Sequence, residues 1–210
     1  MIKLKELIEL RNMVYSEEIK PKHQDKINRP VTLWDENIIL PTILPPENDS
    51  GKTMNEIKYL ASIKPNEELT KSGDDILENF MPLVEKYGLN VTKEFLQKLI
   101  DESGKFVMEL KYKFNRPRPY QVAEFYGIDL NGTQLDSMKT PSFPSGHAVQ
   151  GYLVGEYLAR LNNVNAYEFR SKGEEIAQSR IIAKAHYPSD KEYGKIIAKT
   201  LVNGMRKRQL

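Results

Sequence analysis

Three short stretches bring together side chains that could hold an oxyanion and move a proton near it. Lys111 and Arg118 stand seven residues apart, and Ser179-Arg180 precedes His186 and Asp190. Between them lies Pro144-Ser145-Gly146-His147, which reads as a tight turn opening a helix. Pro144 stiffens the entry, Ser145 is a natural N-cap, and Gly146 permits close backbone approach. His147 then falls in the first helical turn, where unpaired N–H groups make a site for an anion. Phosphoryl transfer needs positive charge and N–H donors on the equatorial oxygens, an in-line nucleophile and an acid at the leaving oxygen. Lys111, Arg118 and Arg180 supply three cations, enough to outweigh a phosphate dianion, with arginine suited to bidentate binding and lysine to a point charge. The seven-residue step from Ser179 to His186 places both on one helix face, and Tyr187-Pro188 then breaks that helix. Asp190 can turn back to one imidazole nitrogen of His186 and fix its tautomer, leaving the other nitrogen free to attack.

These stretches together match a longer signature. It consists of a lysine, six residues and Arg-Pro; then Pro-Ser-Gly-His; then Ser-Arg, five residues, His, three residues and Asp. From Lys111 to Asp190 the chain resembles the type 2 phosphatidic acid phosphatase (PAP2) superfamily, which also contains the bacterial class A acid phosphatases and the vanadium haloperoxidases. Arg116-Pro117 is a second Arg-Pro pair, but the residue seven before Arg116 is Glu109, so Lys111 with Arg118 sets the register. A weaker similarity to the class A acid phosphatases extends upstream through Leu44-Pro45-Pro46. The resemblance implies an all-α helical bundle of the PAP2/vanadium haloperoxidase type. It implies a metal-independent phosphatase that hydrolyses phosphate monoesters through a phosphohistidine. His186 would be the nucleophile, Asp190 its orienting partner and His147 the general acid. Lys111, Arg118, Ser145, Gly146 and Arg180 would form the phosphate cradle. No cofactor is implied; vanadate would inhibit, and would be a cofactor only if the chain were a vanadium-dependent haloperoxidase. That alternative stays open, as does a non-catalytic phosphate-binding or scaffold protein.

Other candidates carry less. Lys113 and Arg116 read as exposed charges or as charges standing behind the site. His23, among Lys20, Lys22, Asp25 and Lys26, reads as a surface residue. Ser50-Gly51-Lys52-Thr53 imitates the end of a phosphate-binding loop, but Pro46 stands where that motif needs glycine and no strand pattern precedes it. Between Tyr120 and Thr140, Phe125, Tyr126 and Met138 are candidate contacts for a substrate ring.

Composition narrows the class. The 210 residues are 40% hydrophobic and 29% charged, as in a globular chain with a real core. A net charge of +2 is too small to argue for nucleic acid. Cysteine is absent, which removes disulfides and thiol chemistry. The sequence shows no signal-peptide core and no run of about 20 apolar residues. It therefore reads as cytoplasmic and without a membrane span, acting on a small-molecule phosphate ester. Homodimers are common in the group it resembles, an analogy alone.

The elements that must position these residues are read as helices. Residues 1–210 are expected to form one domain, with 1–53 an N-terminal extension lying over the helical core. After a short helix at Leu4 to Leu10, the stretch from Tyr15 to Thr53 holds no period, and Trp34, Ile38, Ile39 and Leu40 are its anchors. Helices follow over Asn55 to Ile63, over Asp74 to Tyr87 with an interruption at Pro82, and from a Thr92 cap to Pro117. A loop leads to Pro144. Gly151 and Gly155 on the next helix let a neighbour come close. Capping boxes at Asn165/Glu168 and Ser189/Glu192 start the last two helices, the first of them running towards Ala185. The Arg206-Lys207-Arg208 tail reads as a solvated helix end.

Overall fold

The computed structural model describes residues 4–206, and among these there are helices and loops but no strand. The centre of the molecule is α8 (Gly146–Leu161), apolar on most of its surface and buried on nearly every face. It packs chiefly against α9 (Ala166–Ile182) and α10 (Pro188–Asn203), with α6 (Lys93–Phe114) closing a further side. Small residues allow the closest of these contacts. A Cβ on Gly155 would sit 2.6 Å from the Phe169 carbonyl oxygen, and one on Gly173 would sit 2.7 Å from that of Gly151. Gly151 and Gly155 thus act in packing, as their spacing suggests.

Local chemistry sets the ends of the long helices. α6 begins where Thr92 accepts the Phe95 N–H, and it ends where Asn115 turns left-handed at φ 47° just before Pro117. α5 (Ile76–Lys86) is capped by Asp75 and stopped near Gly88, which has φ 55°. It is not interrupted at Pro82, as the sequence suggested. Burial of Ile76, Leu77, Phe80 and Val84 on its inner face offsets the one hydrogen bond that proline removes.

The N-terminal third is more ordered than its composition suggests. After α1 (Leu4–Asn12) comes α2 (Pro21–Asn28), within the stretch read as having no period. Its signal is Pro21 in the first helical turn, where a missing N–H costs nothing. α2 lies on α6, held by Lys105 donating to the Ile27 carbonyl at 2.8 Å. Beyond it, Glu102 of α6 accepts the backbone N–H groups of Thr32 and Leu33, and the Trp34 indole donates to the Leu201 carbonyl at 2.7 Å. Val31, Leu33 and Trp34 are the buried anchors, whereas Ile39 is 89% exposed and anchors nothing. The imitation phosphate loop is the start of α3 (Gly51–Ser62), with Ser50 capping Thr53.

Three further expectations are corrected. A short α4 (Glu67–Ser72) precedes α5, and the loop before Pro144 contains α7 (Pro119–Phe125), also opened by a proline. Asn165 and Glu168 form no capping box. Asn162 takes the Asn165 N–H, and Glu168 pairs with Lys86 and Tyr87. α10 starts two residues earlier than a Ser189 cap would require, with Tyr187 as its N-cap and Asp190 accepting the Tyr187 N–H. Lys207 and Arg208 of the basic tail, like residues 1–3, lie outside the described residues.

Candidate active site

His186 sits between two helices rather than on one. α9 ends at Ile182, so the helical face inferred from the Ser179 spacing does not exist. Lys184 adopts φ 58°, and the Ala185 N–H reaches back to the Arg180 carbonyl while the Lys184 N–H bonds that of Ile181. This is a Schellman turn with lysine in the left-handed position. The Lys184 ammonium donates to the Leu130 carbonyl and pins the turn. His186 emerges from it buried, four residues before Asp190 in the first turn of α10.

Both imidazole nitrogens of His186 have partners. Nδ1 lies 3.1 Å from Oδ2 of Asp190, and Nε2 lies 2.9 Å from Nη1 of Arg118. A guanidinium can only donate, so Nε2 accepts and the proton resides on Nδ1, facing the carboxylate. The ring's pKa is pushed well below the usual histidine value, by burial first and then by the Arg118 and Lys111 charges. Asp190 pulls the other way, as the sequence suggested, but does not prevail. Arg118 is itself fixed by donating to the carbonyls of Thr140, Ala185 and Ser137 at 2.7–2.8 Å, and burial lowers its pKa to about 10.

Asp190 collects more donors than the sequence reading gave it. Oδ2 accepts from the Ser142 hydroxyl and the Tyr187 N–H as well as facing His186, and Oδ1 accepts from Arg116 at 2.7 Å. Arg116 and the other donors hold this carboxyl well below its ordinary pKa despite complete burial. Arg116 therefore stands behind the site and is wholly buried, while Lys113 is exposed. The second Arg116 arm reaches Glu56 on α3 at 3.2 Å, its guanidinium lies 3.7 Å over the Tyr187 ring, and Glu56 accepts from the N–H and hydroxyl of Ser189. Neither Ser142 nor Glu56 carried a signal in the sequence, because each acts across more than 40 residues of chain.

The Pro144–His147 turn is held from two sides. Phe143 stacks on Tyr193 of α10 at 4.5 Å and meets Phe114 of α6 edge-on at 5.2 Å. Gly194 lets α10 lie against the first turn of α8, where a Cβ would come within 2.9 Å of Ala148. Ser145 caps α8 by accepting the Ala148 N–H, and its own hydroxyl proton remains for a ligand. Lys111 donates to the carbonyls of Pro141 and Ser142. Its pKa is driven well below the lysine range, by burial first and by Arg118 second. Nε2 of His147 faces Asp74, 3.4 Å from Oδ1, and the same Oδ1 accepts Nη1 of Arg180 at 2.8 Å. Asp74, whose pKa falls to about 2, is an acid at His147 that the sequence reading did not foresee.

Lys111, Gly146, His147 and His186 line one cavity of about 280 Å³. Arg118 and Asp190 stand directly behind His186, while Arg180 faces Asp74 rather than this cavity. His23 also lines it, and is 4% exposed, so it is not the surface residue expected. The loop residues Asp136, Ser137 and Thr140 complete that wall. Phe125 and Tyr126 instead pack, half-buried, beside Leu10 and Ile57, and Met138 packs beside Ala183 and Ala185, so none of the three candidate ring contacts lines this cavity. Among the described residues no group of three or more His, Cys, Asp or Glu side chains is placed to share a metal ion. Nor is any helix there long and apolar enough to cross a membrane.

Comparison with known proteins gives this geometry a context. A sequence model of the PAP2 superfamily matches residues 96–208. A non-specific acid phosphatase of Providencia stuartii is 32% identical over 120 residues, 56% of this chain and 47% of that protein. An acid phosphatase of Zymomonas mobilis is 32% identical over 109 residues, 52% of this chain and 39% of that protein. The chain thus matches about half or less of the length of these relatives. The solved structure of a bacterial vanadium-dependent iodoperoxidase shares the fold, with a TM-score of 0.55 at 16% identity over 81% of this chain and 52% of that one.

Proposed function

The chain belongs to the PAP2 superfamily, and from that premise we propose that it is a metal-independent phosphatase, hydrolysing phosphate monoesters through a phosphohistidine on His186. The observation that carries this reading is the state of His186. It is buried, with its proton on Nδ1 towards Asp190 and Nε2 accepting from Arg118, and it lines the cavity it shares with Lys111 and His147.

The substrate phosphate would bind over Nε2. Its oxygens take the Nη1 hydrogen of Arg118, the Ser145 hydroxyl and the backbone N–H groups at Gly146, which frees the Nε2 lone pair for phosphorus. Arrival of a dianion favours the charged form of Lys111 and offsets its burial. Arg180 belongs to this cradle through an exchange: a phosphate oxygen beside His147 competes with the Asp74 carboxylate that now joins Arg180 to His147. As the Nε2–phosphorus bond forms, the ester P–O bond breaks, and His147 gives its proton to the departing oxygen. The Nδ1 proton stays on His186, and the carboxylate of Asp190 stabilises the positive charge that the ring gains. Water then attacks phosphorus, His147 takes a proton from it, and phosphate leaves with His186 restored. Side-chain cations and helix N–H donors meet the charge that a metal ion would otherwise neutralise.

Steady-state hydrolysis of a nitrophenyl phosphate in the presence of a chelator tests the proposal. Release of nitrophenol and inorganic phosphate in equal amounts supports it. No turnover at any pH between 4 and 9, by protein that is folded and binds phosphate, would instead favour the non-catalytic reading.

A further inference from the structure

One wall of the cavity comes from outside the three motif stretches. It is α2, whose residues Lys22, His23 and Lys26 line the cavity together with Lys111, His147 and His186. Positions 22 and 26 stand one turn apart on one helix face, with His23 beside them. This wall is fastened rather than loosely laid on the bundle. Nδ1 of His23 lies 2.6 Å from the Tyr112 hydroxyl of α6, and that hydroxyl oxygen also accepts the Lys20 backbone N–H. The hydroxyl hydrogen is then free to go to the imidazole, so His23 accepts through Nδ1 and is locked in place.

The two lysines are exposed, and neither has a hydrogen-bonded or ion-paired partner among the described residues. Lys105, which does have partners, is the cation that ties α2 down. Among the described residues the only acid on this cavity is Asp136, and Lys139 pairs with it at 2.5 Å. His147 also borders a second cavity, but that one carries Asp74 and Asp75 beside Lys71. An anionic leaving group is therefore drawn to the α2 side and turned away from the other.

We infer that Lys22 and Lys26, held on the α2 wall by His23, form a subsite for a second phosphate group of the substrate, so that bisphosphates and diphosphate esters are preferred over simple monoesters. This deepens the phosphatase reading, and it rests on that reading only for the word substrate; the binding site itself stands on the geometry.

The test is a calorimetric comparison of two non-hydrolysable probes, methylphosphonate and methylenediphosphonate. The wild-type protein is expected to bind the diphosphonate about tenfold more tightly than the monophosphonate, as two additional exposed ion pairs warrant. The double variant Lys22→Ala/Lys26→Ala is expected to lose most of that preference while its monophosphonate affinity falls less than about threefold, since both side chains are on the rim. Equal affinity of the wild type for the two probes, or an unchanged preference in the double variant, would overturn the inference. If the preference is found but no ester is hydrolysed, the subsite stands and the phosphatase reading falls. If nitrophenyl phosphate is hydrolysed but no preference exists, the reverse holds.

Discussion

Arg116 donates to Asp190 across 74 residues of sequence, with 2.7 Å between Nη1 and Oδ1 and both side chains out of reach of water. Its other arm holds Glu56. Removing the guanidinium would leave the buried carboxylates of Asp190 and Glu56 without the cation they share. Truncating one partner of such a pair typically costs about 3–5 kcal/mol. Arg116→Ala is expected to lower the melting temperature sharply and to reduce kcat in whatever folds. The variant Glu56→Gln/Arg116→Met, which removes charge from both sides, should recover stability better than activity. Thermal denaturation and nitrophenyl phosphate turnover on both variants check this. An Arg116→Ala protein as stable as the wild type would show that the pair has no structural weight.

The pH profile follows from His186. The neutral ring attacks, and its pKa is driven well below the usual value by burial and by Arg118. A lowered pKa keeps the ring neutral as pH falls, so the acid limb of kcat/KM should lie clearly below the ordinary histidine value of about 6.5. The same sign applies to stability. A histidine buried neutral binds fewer protons folded than unfolded, so stability is full above about pH 6.5 and declines as pH drops below it. An acid limb at or above pH 6.5 would contradict the assignment of a buried, arginine-contacted nucleophile.

His147 should matter in proportion to the leaving group. Its ring lines the cavity, with Nε2 towards Asp74, and in the proposed mechanism it gives its proton to the departing oxygen. General acid assistance contributes about 10²–10⁴ in rate. His147→Ala should therefore slow an alkyl phosphate by that order and an activated nitrophenyl ester by much less. Equal losses on both esters would remove the acid role.

Vanadate should compete with substrate, and chelators should leave the rate unchanged. A tetrahedral oxyanion like phosphate, vanadate would be held by Lys111, Arg118, Ser145 and His186, and its five-coordinate form mimics the transition state. Activity lost in EDTA and restored by zinc or magnesium would overturn the metal-independent reading.

Much of this site could be read from sequence because its chemistry is local. Lys111 and Arg118 are separated by a helix end, Ser145 and His147 lie within one helical turn, and His186 and Asp190 are four residues apart. Their spacings reflect short stretches of chain at helix ends, and the all-α class followed from the helical period of every periodic segment after Thr53. What could not be read is long-range. His23 looked like a surface residue because its neighbours are lysines, yet Tyr112, 89 residues away, buries it. Asp74 gave no sign of meeting His147 across 73 residues, nor Arg116 of meeting Glu56. The turn at Lys184 escaped because left-handed backbone is usually marked by glycine or asparagine, and here a lysine anchored on Leu130 adopts it.

The central claim is that phosphorus becomes bonded to His186. Rapid acid-free denaturing quench of the enzyme with phosphorus-labelled substrate, followed by peptide mapping, tests it most directly. Label should appear on the His186 peptide during turnover, be stable in alkali and lost in acid, and be absent from His186→Ala, whose kcat should fall by about 10³ or more. Label trapped on His147 or His23, or full turnover by His186→Ala, would contradict the mechanism.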